Sequence, residues 1–318
     1  MAGAFQKFLI FFAFITFVGS LVLAYLNTAG VPGLYYSTNG YVDSKYFQHI
    51  SPAAIGFGII WPIIYVWNGV GILYVIVSIW LKPEKSPVNV SPTLISTPFL
   101  CAYTLAWGST VGWLFAFDVE ILELSLALLL LAAFSAYFAI GASCKLVYDN
   151  QTELLPSSKV MVWMVRIFIQ NGLCLPATWL TIACFINLGD VIIYQDSFNV
   201  VPPVLRGTLN PVDGSTLCLC LLGACVGTWF VLENFILEKY CRYNFTIYPV
   251  LILGLSALVS RLQPLDNATG NLIIASVQLG IVVLAFCLRI VIALFRWKKG
   301  PVKSHDDVTI SNVKLTEM

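Results

Sequence analysis

Eight apolar stretches run through the chain, near residues 8–26, 52–80, 93–117, 121–144, 159–193, 215–238, 245–262 and 271–296. A helix of about 20 apolar residues crosses a bilayer core, and within hydrocarbon a segment has to satisfy its own backbone hydrogen bonds. The pattern predicts an all-α fold: a polytopic transmembrane helix bundle of about eight spans, with the lipid bilayer as its solvent. Composition agrees, since 59% of the 318 residues are hydrophobic, 10% are charged and the mean hydropathy is +0.86. A soluble domain carries about 25% charge. The first stretch follows a single charge, Lys7, and shows no small-x-small cleavage site before Asn27, so it reads as a retained helix.

Lysine and arginine orient the spans. With the N-terminus inside, the inner flanks hold eleven: Lys7, Lys82, Lys85, Lys145, Lys159, Lys239, Arg242, Arg296, Lys298, Lys299 and Lys303. The outer loops hold three, Lys45, Arg206 and Arg261. By the positive-inside rule both termini face the cytoplasm. There is no lipidation box, retention signal or peroxisomal tail, which leaves the plasma membrane or another membrane of the secretory route as the default. The longest outer loops are 27–51 and 194–214, and the second is turn-rich (Pro202, Pro203, Asn210-Pro211, Asp213-Gly214). It divides a five-helix unit, 1–193, from three further helices, 215–296, with a polar cytoplasmic tail over 297–318.

Several functions are excluded or disfavoured. A net charge of +1 offers no basic patch for nucleic acid. The nine cysteines lie in or beside apolar segments and read as reduced packing residues, and Cys218-x-Cys220 lacks a histidine or second pair to make a metal site. No lysine lies mid-span, which excludes a retinal Schiff base. The only histidines are His49 and His305, and no Ser-His-Asp, Cys-His or His-Glu cluster appears, so neither an enzyme nor a cofactor is expected. Eight spans with both termini inside do not match a seven-helix receptor.

Charges inside hydrocarbon are costly and usually face the bundle or a cavity. Arg166, Glu233 and Arg289 lie six or seven residues from Lys159, Lys239 and Arg296, a common depth of about 10 Å from the inner face. A Glu233 pair with Arg166 or Arg289 would be a gate or proton-coupled site, or a clamp tying the fifth, sixth and eighth helices; the clamp is the preferred reading. On the outer side Asp43, Asp118, Glu120, Glu123, Asp190, Asp196, Asp213 and Asp266 outnumber the bases, which reads as a consequence of topology more than as a cation vestibule. Gly108-x-x-x-Gly112 and Gly223-x-x-x-Gly227 suit close helix contacts, within one chain or in a homodimer. Asn267-Ala-Thr269 is a glycosylation sequon hard against two spans.

The second span, SPAAIGFGIIWPIIYVWN, places Phe57, Trp61 and Tyr65 on one helical stripe, with Asn68 on the next turn. The fifth repeats the spacing with Trp179, Ala183 and Asn187. Together these stretches resemble the TspO/MBR family, the tryptophan-rich sensory and translocator proteins. Its second helix reads P-x-x-x-x-F-x-x-x-W-x-x-x-Y, matched by Pro52, Phe57, Trp61 and Tyr65. Its fifth reads P-Y-x-x-W-x-x-x-A-x-x-x-N, onto which Trp179, Ala183 and Asn187 map, with Pro176 one place nearer the tryptophan. Trp107 or Trp113 would supply the third-helix tryptophan, with Thr104 or Thr110 where the family has asparagine.

The resemblance covers about residues 1–193. It implies a five-helix bundle with a pocket for porphyrins, sterols or aromatic drug-like ligands, closed by loop 27–51 with Tyr35, Tyr36, Tyr41 and Tyr46; helices six to eight lie outside the family core. The expected function is therefore a non-enzymatic membrane protein binding a tetrapyrrole or sterol. Rings would stack on Trp61, Tyr65 and Trp179, with Phe57 and Trp107 beside them and Asn68 and Asn187 orienting a polar group. The alternative is a small-molecule transporter or channel using the Arg166/Glu233/Arg289 layer.

Overall fold

The structure, a computed structural model, describes residues 3–298. Beyond Lys298 the tail expected over 297–318, His305 included, lies outside the described residues. Numbered along the chain, the helices are α1 (Ala4–Thr28), α2 (Asn39–Lys45), α3 (Ala54–Val77), α4 (Thr97–Asp118), α5 (Leu122–Met164), α6 (Asn171–Ile193), α7 (Pro211–Val231), α8 (Glu238–Cys241), α9 (Ile247–Leu262) and α10 (Thr269–Lys298). Wide π turns at Val165–Gln170 and Leu232–Ile236 join α5 to α6 and end α7.

Among the described residues six helical stretches are long and apolar enough to cross a membrane: Ala4–Thr28, Ala54–Trp80, Thr97–Asp118, Leu122–Ile193, Pro211–Ile236 and Asp266–Phe295. Eight separate stretches are expected from the sequence, and the difference has two physical reasons. The expected fourth and fifth spans run together as 72 helical residues. A straight helix of that length would reach about 108 Å, several times the bilayer core. It is not straight: Pro156 removes a backbone donor, and Ser158 leaves helical geometry at φ −141°, ψ 35°. Past that break the chain doubles back. Gln151 accepts from Arg166 Nη2 (3.3 Å), Ser143 accepts from Gln170 Nε2 (3.3 Å), and the Tyr137 and Thr181 hydroxyls bond still farther from the kink. The other reason is α9, whose 16 residues rise only about 24 Å against a core of about 30 Å.

Packing produces two bundles with one shared wall. Helix α1 lies against α3 and α4, α4 against α5, α5 against α6, and α6 against α3, closing a five-helix ring. Helix α6 also packs on α7 and α9, and both of those on α10. A helix with neighbours on both sides must be apolar all round, and 17 of the 23 residues of α6 are buried. Between apolar helices in lipid there is no hydrophobic driving force, so close contact and small residues matter more. A side chain at Gly71 would begin 2.6 Å from the Phe168 carbonyl, and one at Gly56 would begin 2.7 Å from Ala257 Cβ. The glycine pairs singled out above act largely within the chain: Gly108 faces Thr16, Gly112 faces Leu128 and Gly223 faces Gln278, while Gly227 meets open space.

The end of the bundle carrying residues 29–53, 119–121 and 194–210 is capped by a polar network. Asp118 accepts the backbone N–H groups of Tyr36 (2.9 Å) and Ser37 (2.7 Å). Glu120 accepts from Lys45 Nζ (2.5 Å) and from the Tyr46 hydroxyl (2.7 Å), and that hydroxyl accepts the Ser197 N–H (2.9 Å). Asp43 pairs with Arg261 (2.9 Å) and bonds Ser51, Glu123 pairs with Arg206, and Asp196 caps the Leu122 N–H (3.0 Å). All three basic residues expected outside thus face an acid, and most of the acid surplus is structural mortar. The expected lid tyrosines divide: Tyr35 and Tyr46 are buried, while Tyr36 and Tyr41 point outward.

Candidate functional site

The stripe on α3 meets its counterpart on α6. Phe57 sits edge-to-face on Trp179, with ring centroids 5.2 Å apart, and Trp61 stacks on Tyr65 at 5.6 Å. Tyr65 lies 5.6 Å from Trp107, which takes the edge-to-face contact of Phe17 at 4.9 Å. Trp107, rather than Trp113, is therefore the tryptophan of α4 that joins the ladder. Each such pair contributes about 0.5–1.5 kcal/mol beyond area burial. Two members escaped sequence reading. Tyr103, 6.2 Å from Trp107, stands four residues before it and shares its stripe, a signal that could have been read. Phe17 comes from a helix rich in phenylalanine, where no spacing marks one ring above the others.

Both asparagines expected to orient a ligand tie helices together. Asn68 Nδ2 donates to the carbonyls of Ile64 (2.9 Å) and Gly172 (2.8 Å), and Asn187 Oδ1 accepts from Trp113 Nε1 (3.2 Å). Between the rings lies a cavity of about 10 Å³ lined by Trp61, Ala106, Trp107, Thr110, Ala136 and Leu173, among others. A second of the same size borders Asn68, Phe99, Tyr103 and Phe168. Each has room for about one water, whereas a drug-sized ligand occupies roughly 300–1,000 Å³; the ring's own side chains fill it in this conformation. Two donors beside these cavities are buried without a well-aligned acceptor, Trp107 Nε1 and the Tyr103 hydroxyl, which have only each other within reach.

The three intramembrane charges divide as well. Arg289 and Glu233 are both fully buried and face each other, Nε to Oε1, at 3.3 Å. Glu233 Oε2 accepts from the Tyr248 hydroxyl (2.6 Å), while Arg289 donates to Cys241 O (2.7 Å) and Asn234 Oδ1 (3.4 Å). Arg166 holds Gln151 and lies over the rings of Tyr243 (4.0 Å) and Trp163 (5.1 Å). Segment 241–246 bridges the two groups. Asn171 donates to Tyr243 O (2.7 Å) and accepts from Phe245 N (2.7 Å). Of the two pairings expected, Glu233 faces Arg289 and not Arg166, and Tyr248 of α9 is its further partner.

Arg166 and Glu233 each lie in a π turn. Such a turn leaves carbonyls free of their usual partners. Around the first, Ile167 O accepts from Trp67 Nε1 (2.8 Å) and Arg166 O from Asn171 Nδ2 (2.9 Å).

At the capped end His49 is buried, and Asn271 Nδ2 donates to its Nδ1 (3.2 Å). Burial, and then the Arg261 charge, hold the imidazole below its ordinary value. Burial and the Glu120 bond push the Tyr46 hydroxyl up.

No family model, curated protein or solved structure matches this chain.

Proposed function

We propose that the chain is an integral membrane protein of eight crossings, both termini in the cytoplasm, whose five-helix ring binds a flat hydrophobic ligand of the tetrapyrrole or sterol class without catalysing a reaction. Eight crossings follow when the helical stretch broken at Ser158 counts as two and α9 as one. The carrying observation is a pair of buried donors, Trp107 Nε1 and Tyr103 OH, with no well-aligned acceptor but each other, beside cavities among stacked rings. A buried donor left unpaired costs about 1–3 kcal/mol, a cost that an acceptor on a bound molecule removes. In this reading the Trp61 ring shifts to admit the ligand and then stacks on it together with Tyr65 and Trp179, and Trp107 and Tyr103 take over the orienting role expected of Asn68 and Asn187. The TspO/MBR-like spacing of the two stripes supports the same conclusion.

The test is protoporphyrin quenching of intrinsic fluorescence in purified protein. Saturable quenching is expected, weakened at least about tenfold in Trp61→Ala/Trp179→Ala by lost stacking; equal quenching in both proteins would sink the pocket. Competition by cholesterol separates the sterol from the tetrapyrrole arm. Tags on both termini, probed in intact cells, check the orientation. A second reading, a transporter or channel, draws on the buried Glu233–Arg289 pair, and flux in proteoliposomes that persists unchanged in Glu233→Gln would remove it.

A further inference from the structure

Glu233 sits in an arrangement suited to two charge states. As a carboxylate it has Arg289 Nε 3.3 Å from Oε1 and the Tyr248 hydroxyl 2.6 Å from Oε2. Yet the 3.3 Å approach lacks hydrogen-bond alignment, so Glu233 Oε1 and Arg289 Nε are both buried without a hydrogen bond. Trp229 Nε1, one turn before Glu233, and Asn244 Oδ1, three residues past Cys241, are in the same condition. A buried ion pair offsets its desolvation only with good geometry and satisfied lone pairs, and this pair has neither. If Glu233 were neutral, Arg289 would still hold the Cys241 carbonyl at 2.7 Å and Asn234 at 3.4 Å, with the Phe245 ring at 6.0 Å. Both states of the carboxyl therefore leave the arginine supported.

The backbone around Glu233 is also built to yield. It lies in the π turn Leu232–Ile236, a feature that recurs at functional sites. The connection from α8 to α9 meets Glu233's partner Arg289 at the Cys241 carbonyl and the Phe245 ring, and non-helical backbone at membrane depth is tolerated where it is buried in protein or lines a watery cavity. The ionisable groups around Glu233 come from four elements: Arg289 of α10, Tyr248 of α9, Cys241 of α8, itself within electrostatic reach of Glu238, and Cys174 of α6. Glu238 pairs with Arg242, and the two side chains are 17% and 12% exposed, against 0% for Glu233.

We propose that Glu233 is a reversible proton-binding site open to the side of the membrane that carries the chain's N-terminus. A proton from water adds to the carboxylate, Arg289 stays on the Cys241 carbonyl and Asn234, and deprotonation restores the pair. The site lies in the second bundle and lines neither ring cavity, so its failure leaves the ligand reading standing.

The experiment is infrared difference spectroscopy of the full-length protein in nanodiscs across a pH titration. A carboxylic-acid carbonyl band is expected to grow on acidification and to be missing in Glu233→Gln. In Tyr248→Phe, which removes a donor to the charged form, its midpoint should move to higher pH by about tenfold in proton affinity. No band in the wild-type protein, or a band that persists in Glu233→Gln and vanishes in Asp190→Asn, overturns the proposal. Should Glu233→Gln fail to fold, an unmoved midpoint in Tyr248→Phe overturns it alone.

Discussion

Glu120, at the capped end, receives Lys45 Nζ at 2.5 Å and Tyr46 OH at 2.7 Å, and both donors continue into Ser197. Glu233, at the opposite end, receives one hydroxyl and faces a guanidinium at 3.3 Å that it does not bond. Both carboxylates are at most 4% exposed, so burial does not distinguish them. Completeness does. The first carboxylate is bonded by two donors of one segment that both continue into a second at Ser197; the second has one bonded donor and a guanidinium it does not bond. A fully satisfied polar network rigidifies, whereas a partly satisfied one retains alternatives.

Four measurements can break or sharpen that contrast, each by unfolding in detergent. Glu120→Ala should have the largest effect, about 3–5 kcal/mol, because it strands the Lys45 ammonium, whose side chain is 3% exposed. Glu233→Gln should cost about 1–2 kcal/mol, since Arg289 retains two oxygen partners; a loss as great as that of Glu120→Ala would erase the difference between the two ends.

His49 supplies the pH arm. Its folded value is depressed, so the unfolded chain binds the extra proton. The stability it contributes is complete above about pH 6.5 and is lost as pH falls through the interval down to the folded value, at most about 1.4 kcal/mol per pH unit. His49→Gln should flatten that slope, and an unchanged slope would remove His49 as its source. Last, Arg206→Ala breaks a pair whose side chains are 34% and 52% exposed, and should change stability by about 0.2–1 kcal/mol. A larger loss would mean that loop 194–210 holds the cap as firmly as Glu120 does.

The membrane-crossing stretches were legible because hydrocarbon demands length and apolarity, both of which are local. The run from Lys145 to Ser157 was not: its polar residues read as a loop, yet glutamate, leucine and glutamine are good helix formers outside the bilayer, and α5 continues to the break at Ser158. The stripe 57, 61, 65 was legible as spacing within one helix, and so was its partner on α6. What Asn68 and Asn187 do was not, since their partners, Gly172 and Trp113, lie 104 and 74 positions away. The acids of the cap were counted correctly and misread for the same reason: Asp43 answers to Arg261 across 218 residues. Depth along the axis predicted that Arg166, Glu233 and Arg289 share a layer. Only rotation about each helix decides which of them touch.

The shared wall has a consequence for how the chain is made. Synthesis delivers α1 to α6 first, and the ring can close around the ladder at once, with Leu173 and Pro176 turned toward its cavity. The opposite side of α6 then has no neighbours. Asn171, which will serve Tyr243, Phe245 and Thr246, belongs to the side that later segments complete. Until the chain has been made through α9, at Leu262, that face of α6 waits uncovered with the Asn171 amide on it. The order of the two bundles along the chain therefore sets an interval during biogenesis in which α6 is clad on one side only.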